Sequence, residues 1–276
     1  MTQILLRCRS ARVARGFAGA LAALSLSLAS SAASAQANAA SAEGPNALQV
    51  LKAMSDYVTS QKTLSVDIEI EIDVSTPEIQ KLQFSAAESA VFARPDRIHV
   101  VRKGGNIDLD LRFDGKTITL IDAASSTYGQ IAQSGTIETM LDRLNKDYTV
   151  EIPGLDPRLA NSYDRLSEGV INAKRIGTDV IDGIECQHLA FRNNATDWQL
   201  WVRTGDHPLP CKYIIVSKTV VGAPEYRIRY RSWNISPADP KAFTFMPNKA
   251  MRSVAFEAAS AQAGLLATTS GSPASH

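Results

Sequence analysis

Few side chains in this sequence are spaced to do chemistry. In "IECQHLAFR", Cys186 and His188 stand two apart, the separation of a metal pair or of a thiol and its base. The plainer reading is a polar residue on a strand face beside a buried thiol, because residues two apart on a strand share a face whatever their role. His99 and His207 stand alone, and neither lies in an HExxH or HxH pattern, so no zinc centre is expected. Asp67, Glu69, Glu71 and Asp73 form a row of acids, but they alternate with isoleucines that belong inside. The row reads as a solvated outer face rather than a catalytic carboxylate pair. Arg227, Arg229 and Arg231 mirror it in "YRIRYR". They can recognise an anionic partner or balance acidic neighbours on the outer face, and the second reading is the simpler one. With no G-x-S-x-G elbow, phosphate loop or dinucleotide fingerprint in the sequence, no catalytic residue, no cofactor and no enzyme are expected.

The remaining candidates are apolar. "DWQLWVR" places Trp198 and Trp201 three apart, so on a regular strand they face opposite ways. Trp198, with Leu200 and Val202, goes to the interior. Trp201 is left on a polar face and calls for cover, from a stacked arginine or from a partner.

The elements that position these residues are mostly strands. "SVDIEIEIDV" alternates without a fault, with Val66, Ile68, Ile70, Ile72 and Val74 on one face. Further strands follow at "KLQFSAAESAVFA", "RIHVVRK", "IDLDLRF", "TITLID" and "TYGQIA", with a hairpin signal at Asp114-Gly115. After Asp182-Gly183, another hairpin turn, come "IECQHLAFR", "DWQLWVR", "CKYIIVSK" and "EYRIRYRSW", and "AFTFMP" closes the ordered region. "PNALQVLKAMSDYVTS" is an amphipathic helix with a capping pair at Asn46 and Gln49. Between the two strand groups, "GTIETMLDRLNKDY" has helical spacing. "GLDPRLANSYDRLSEG" reads as a second helix, opening at Asp156-Pro157 and stopping at Gly169. The order helix, strands, helices, strands predicts a mainly β (α+β) fold. One curved antiparallel sheet forms an incomplete β-barrel, and helices pack over its concave face.

The ends bound the domain. Arg7, Arg9, Arg12 and Arg15 precede the apolar run Phe17 to Ala29 and the small residues of "SAASAQA". That is a secretory signal peptide, here assigned to residues 1–37, with cleavage after Ala35 or Ala37 and no stable membrane anchor left behind. The chain has 29 Lys and Arg against 28 Asp and Glu. Losing those four arginines leaves a net charge of about −3, which argues against nucleic acid as a partner. Residues 44–256 are read as a single domain and 257–276, rich in Ala, Ser and Thr, as a disordered tail. Cys186 and Cys211 survive into an oxidising compartment, but a simple meander would hold them on strands one and three, too far apart to bridge. The disulfide is left open.

The stretches "FDGKTITLID", "DGIECQHLAFR", "DWQLWVRTGDHPLPCKY" and "FTFMP" resemble the exported bacterial family called domain of unknown function 2092. That family is similar to the lipoprotein carrier and receptor superfamily of LolA and LolB and to the sensor RseB. The resemblance implies a LolA/LolB-like half-barrel with a helical lid over an apolar cavity, in the periplasm, and no catalytic residues. The expected function is a non-enzymatic lipid or lipoprotein (acyl-chain) binding protein, a carrier or chaperone of the envelope. The alternative is an interaction or sensor module with a filled core and an envelope protein partner. The expected partners are therefore a lipid acyl chain or a lipid-modified protein. The expected cavity lining is Ile68, Ile70, Phe84, Phe92, Phe113, Trp198, Leu200 and Tyr230, with Met140 and Leu144 from the lid.

Overall fold

The computed structural model describes residues 46–76, 78–104, 108–148, 150, 152 and 154–262. The residues assigned to the signal peptide lie outside it. Helix α1 (Ala47–Ser60) is followed by a meander of β1 (Thr63–Ser75), β2 (Lys81–Ala93), β3 (Arg97–Gly104), β4 (Leu109–Phe113), β5 (Thr117–Asp122) and β6 (Thr127–Ala132). An insert then carries α2 (Ile137–Tyr148), a 3-10 turn (Asp156–Arg158) and α3 (Ser162–Ser167). A second meander follows: β7 (Asn172–Ile181), β8 (Ile184–Arg192), β9 (Thr196–Arg203), β10 (Pro210–Ser217) and β11 (Glu225–Asn234). The described residues close with a 3-10 turn (Pro240–Phe243), β12 (Arg252–Ser253) and α4 (Phe256–Gln262).

Among the described residues twelve strands join one sheet in the order β12-β6-β5-β4-β3-β2-β1-β11-β10-β9-β8-β7. Every pairing is antiparallel except β12 with β6. The sheet is not closed: it ends at β12 and at β7. The first meander walks from the middle of the sheet to one side, and β11 returns from the far edge to pair with β1. The chain between β6 and β7 must therefore cross nearly the whole sheet. Its apolar side chains, Ile137, Met140, Leu144, Leu155, Leu159 and Leu166, are buried with those of the sheet's inner face in one continuous core.

Local chemistry agrees with the alternation. In α1 the Asn46 side chain accepts from the Gln49 backbone and the Gln49 side chain accepts from the Asn46 backbone, a complete capping box. At the β7–β8 turn Asp182 and Gly183 both have positive φ, 51° and 79°, as a two-residue hairpin of matched twist requires.

Two expectations change. The second insert helix is broken: a 3-10 turn ends with Leu159 extended, and α3 starts only at Ser162. The break turns Arg158 and Leu159 inward, where both are buried. The ordered chain also runs past 256, because Phe256–Gln262 form α4 against β5 and β6, with Phe256 and Ala259 buried. Gly129 on β6 permits this docking, since a Cβ there would meet the Phe256 Cα and the Ala259 Cβ, each at 2.9 Å.

Candidate functional site

The cysteines are bridged. Cys186 on β8 and Cys211 on β10 have Cα atoms 6.9 Å apart although β9 lies between them. A flat meander would hold them about 10 Å apart. The irregularity between Pro210 and Lys212 falls on Cys211 and closes that gap. The bridge excludes the thiol–base pairing of Cys186 with His188.

The two tryptophans part as their spacing requires. Trp198 faces the core, stacked on Phe191 at 3.9 Å between centroids, with its indole N–H donating to Asn193 Oδ1 at 2.9 Å. Trp201 lies on the other face and is covered from within the chain. His188 stacks on it at 4.1 Å, Lys212 Nζ sits 4.7 Å from its ring, and Asp179 Oδ2 accepts from its Nε1 at 2.7 Å. Ile181, Ile184 and Ile214 complete a small second cluster around the disulfide. Neither a stacked arginine nor a partner is needed.

The charged rows satisfy each other. Arg227 pairs with Glu225, Glu71 and Asp73, Arg231 with Glu69 and Asp182, and Arg229 with Asp182. Asp182, at the tip of the β7–β8 hairpin, thus folds back to the middle of the sheet.

Of the expected lining, Ile68, Ile70, Phe92, Phe113, Met140, Leu144, Trp198, Leu200 and Tyr230 are all buried in the larger of the two core clusters. Phe84 is only half-buried and lies outside it. A hollow of about 570 Å³ opens within the insert, between α2 and residues 150, 152, 155, 156 and 159. Leu141, Val150, Ile152, Leu155 and Leu159 form its apolar wall, and these five also pack in or against the core cluster. Asp142, Lys146, Asp156 and Arg165 form its rim. A shallower hollow of about 350 Å³ lies across β1, β2 and β3, with Arg231 on its border.

The feature that sequence reasoning missed is a buried ion cluster. Arg102 donates to Glu88 Oε2 from Nε at 2.8 Å and from Nη2 at 2.5 Å. Arg158, from the insert, donates to Glu88 Oε1 at 2.7 Å. All three side chains are 0–1 % exposed. Burial alone would raise the Glu88 pKa, but the guanidinium groups of Arg158 and Arg102 outweigh it and hold the carboxyl below its usual range. The same burial pushes the Tyr226 phenol up to about 12. The signal was present in the alternation: Glu88 shares a face with Ala86, Ala90 and Phe92, Arg102 shares one with Ile98 and Val100, and the two residues are directly paired. Among the described residues no group of three His, Cys, Asp or Glu side chains is placed to hold a metal ion. No described helix is long and apolar enough to cross a membrane.

A family model described as "Predicted periplasmic protein (DUF2092)" matches residues 47–257. No curated protein matches the chain. Among solved structures, an uncharacterized conserved protein from Thermus thermophilus is similar at 9% identity and TM-score 0.46, over 75% of this chain and 99% of that one. A LolA superfamily protein from Nitrosomonas europaea is similar at 12% identity and TM-score 0.37, over 73% of this chain and 98% of that one. MucB in the MucA/MucB complex of Pseudomonas aeruginosa is similar at 13% identity and TM-score 0.38, over 72% of this chain and 61% of that one. Likeness at these scores carries no functional weight.

Proposed function

The chain belongs to the DUF2092 family of predicted periplasmic proteins, and from that premise we propose that it is a non-enzymatic binding protein that takes the acyl chain of a lipid or of a lipid-modified protein. The observation that carries this reading is the continuity of the apolar core with the hollow in the insert. Val150, Ile152, Leu155 and Leu159 belong to the core on one side and line the hollow of about 570 Å³ on the other. That volume lies within the range of small-molecule sites, and an apolar wall with a polar rim suits an amphiphile. The insert then acts as a lid, and the inner residues of the sheet form the floor an acyl chain reaches as the lid shifts. A dozen methylenes leaving water would contribute on the order of 10 kcal/mol, and association costs much of that, so the polar end of the ligand has to add affinity.

The packed floor favours a second reading, a module with a filled core that binds a protein partner. Such a partner would not be recognised by Arg227, Arg229 and Arg231, which are already paired with acids. The two readings separate on uptake. Protein purified from the periplasm should bind a fluorescent fatty acid one to one. Leu141→Trp, which fills the hollow from α2, should weaken this about tenfold while leaving the melting temperature within a few degrees. Absence of uptake, or equal uptake by the filled variant, would leave the partner-binding module as the better account.

A further inference from the structure

Across the inner face one row of the sheet runs Tyr230, Ile68, Glu88, Arg102 by direct pairing of β11, β1, β2 and β3. Arg158 descends onto this row from the insert, and Arg94 Nη2 donates to the Arg158 carbonyl at 2.6 Å. The Arg94 and Arg158 guanidinium carbons each lie 5.8 Å from the Phe92 ring. Two guanidinium groups, those of Arg102 and Arg158, thus share one carboxylate, Glu88, while Arg94 stands against the Arg158 backbone with Glu138 acting on it. Hydrogen bonding is incomplete as well. Arg158 Nε, Arg94 Nη1 and Tyr230 Oη are buried and have no partner among the described residues, and the same is true of Ser162 Oγ on the insert. Arg158 Nε and Arg94 Nη1 can only donate and the Tyr230 hydroxyl can donate, so an acceptor that carries negative charge suits the cluster. Buried donors left unpaired are costly and uncommon, and each calls for an occupant. Water can supply acceptors but no charge.

Resting on the acyl-binding reading above, we infer that this node is an oxyanion site that receives the acidic head of the ligand, a carboxylate or a phosphate monoester, as the lid shifts. The head and chain positions are contiguous, because Arg158 lies on the 3-10 turn whose flanking Leu155 and Leu159 line the hollow. An oxyanion there meets the donors of Arg158 and Tyr230, which act on each other electrostatically, and balances the excess of the Arg102 and Arg158 guanidinium charges over the single Glu88 carboxylate, while the chain follows the apolar wall. The protein therefore selects acidic over neutral amphiphiles of equal chain length.

The test is calorimetric titration of delipidated protein, purified from the periplasm, with four probes: palmitate, monopalmitoylglycerol phosphate, neutral monopalmitoylglycerol and inorganic phosphate. The two acidic amphiphiles should bind at least tenfold tighter than the neutral one. Tyr230→Phe and, separately, Arg94→Gln should each narrow that ratio by about tenfold. Because the Tyr230 hydroxyl is unpaired in the protein itself, Tyr230→Phe should not lower the melting temperature. Equal binding of acidic and neutral amphiphiles would overturn the oxyanion site and leave the acyl-binding reading standing, as would a ratio untouched by both substitutions. Saturable one-to-one binding of inorganic phosphate alone, lost in Tyr230→Phe, would keep the node as an oxyanion site and overturn the acyl chain. Binding of none of the four would overturn both.

Discussion

Glu88 stands where alternation along β2 calls for an apolar side chain, and the residues around it answer for the difference. A carboxylate with 0 % side-chain exposure persists as a charge only because Arg102 and Arg158 donate to it. Glu88→Gln should therefore destabilise the protein by about 3–5 kcal/mol, measured by urea unfolding, because it leaves two buried guanidinium groups without a countercharge. Replacing Glu88, Arg102 and Arg158 together with Leu or Met should cost far less than that single change. The pH dependence follows in sign. The folded Glu88 carboxyl lies below its unfolded value of about 4.3, so its contribution is present above that pH and fades as the pH falls through the folded value. Thermal melts should show stability dropping below about pH 4, with a shallower drop in Glu88→Gln. The pairing of Glu88 with Arg102 was legible in principle, since each charge shares its strand face with apolar neighbours. Arg158 was not, because its burial depends on a break between Leu159 and Ser162 that helical periodicity does not announce. For Trp201 the sequence asked for cover but could not say that the cover is His188 and Lys212, which neighbour it only through strand pairing.

At the level of elements, the β7–β8 hairpin shows how an edge is secured. β7 ends the sheet and is exposed along most of its length. Three ties hold the hairpin: the disulfide at Cys186, Asp179 to Trp201, and Asp182 to Arg229 and Arg231. Removing the disulfide by Cys186→Ser with Cys211→Ser should cost about 2–4 kcal/mol. Hydrogen exchange should quicken most in β7 and β8. The meander argument from sequence placed the cysteines on the right strands, but it could not foresee the irregularity at Cys211 that brings them together. The charged rows make the opposite case. Alternation put Arg227, Arg229 and Arg231 on one outer face, and β1–β11 pairing sets the acids of β1 against them. Exposed pairs of this kind are worth little singly, so Arg229→Gln should change stability by less than about 1 kcal/mol and leave fatty-acid uptake intact.

For the whole molecule, alternation and turn residues made the strands, their succession along the chain and the open curved sheet legible, because each rests on local chemistry. The pairing of β1 with β11, and hence the placing of β7 at the far edge, is a long-range choice that no local pattern carries. That choice carries the insert across the inner face, where its apolar side chains join the core. Gly154 marks where the insert is seated. Its φ is +79°, and a Cβ there would collide with Ile228 Cδ1 on β11. Gly154→Ala should cost about 1–2 kcal/mol through backbone strain and raise exchange in residues 154–167 ahead of the sheet. If the protein binds an acyl chain as proposed, the insert covers the place that chain occupies. Native mass spectrometry of the protein purified gently from the periplasm tests that most directly. One lipid-sized adduct per chain is expected, released by organic extraction as an acyl-bearing molecule and missing from Leu141→Trp. A bare chain mass, with no adduct regained on incubation with membrane lipid extract, would contradict acyl binding.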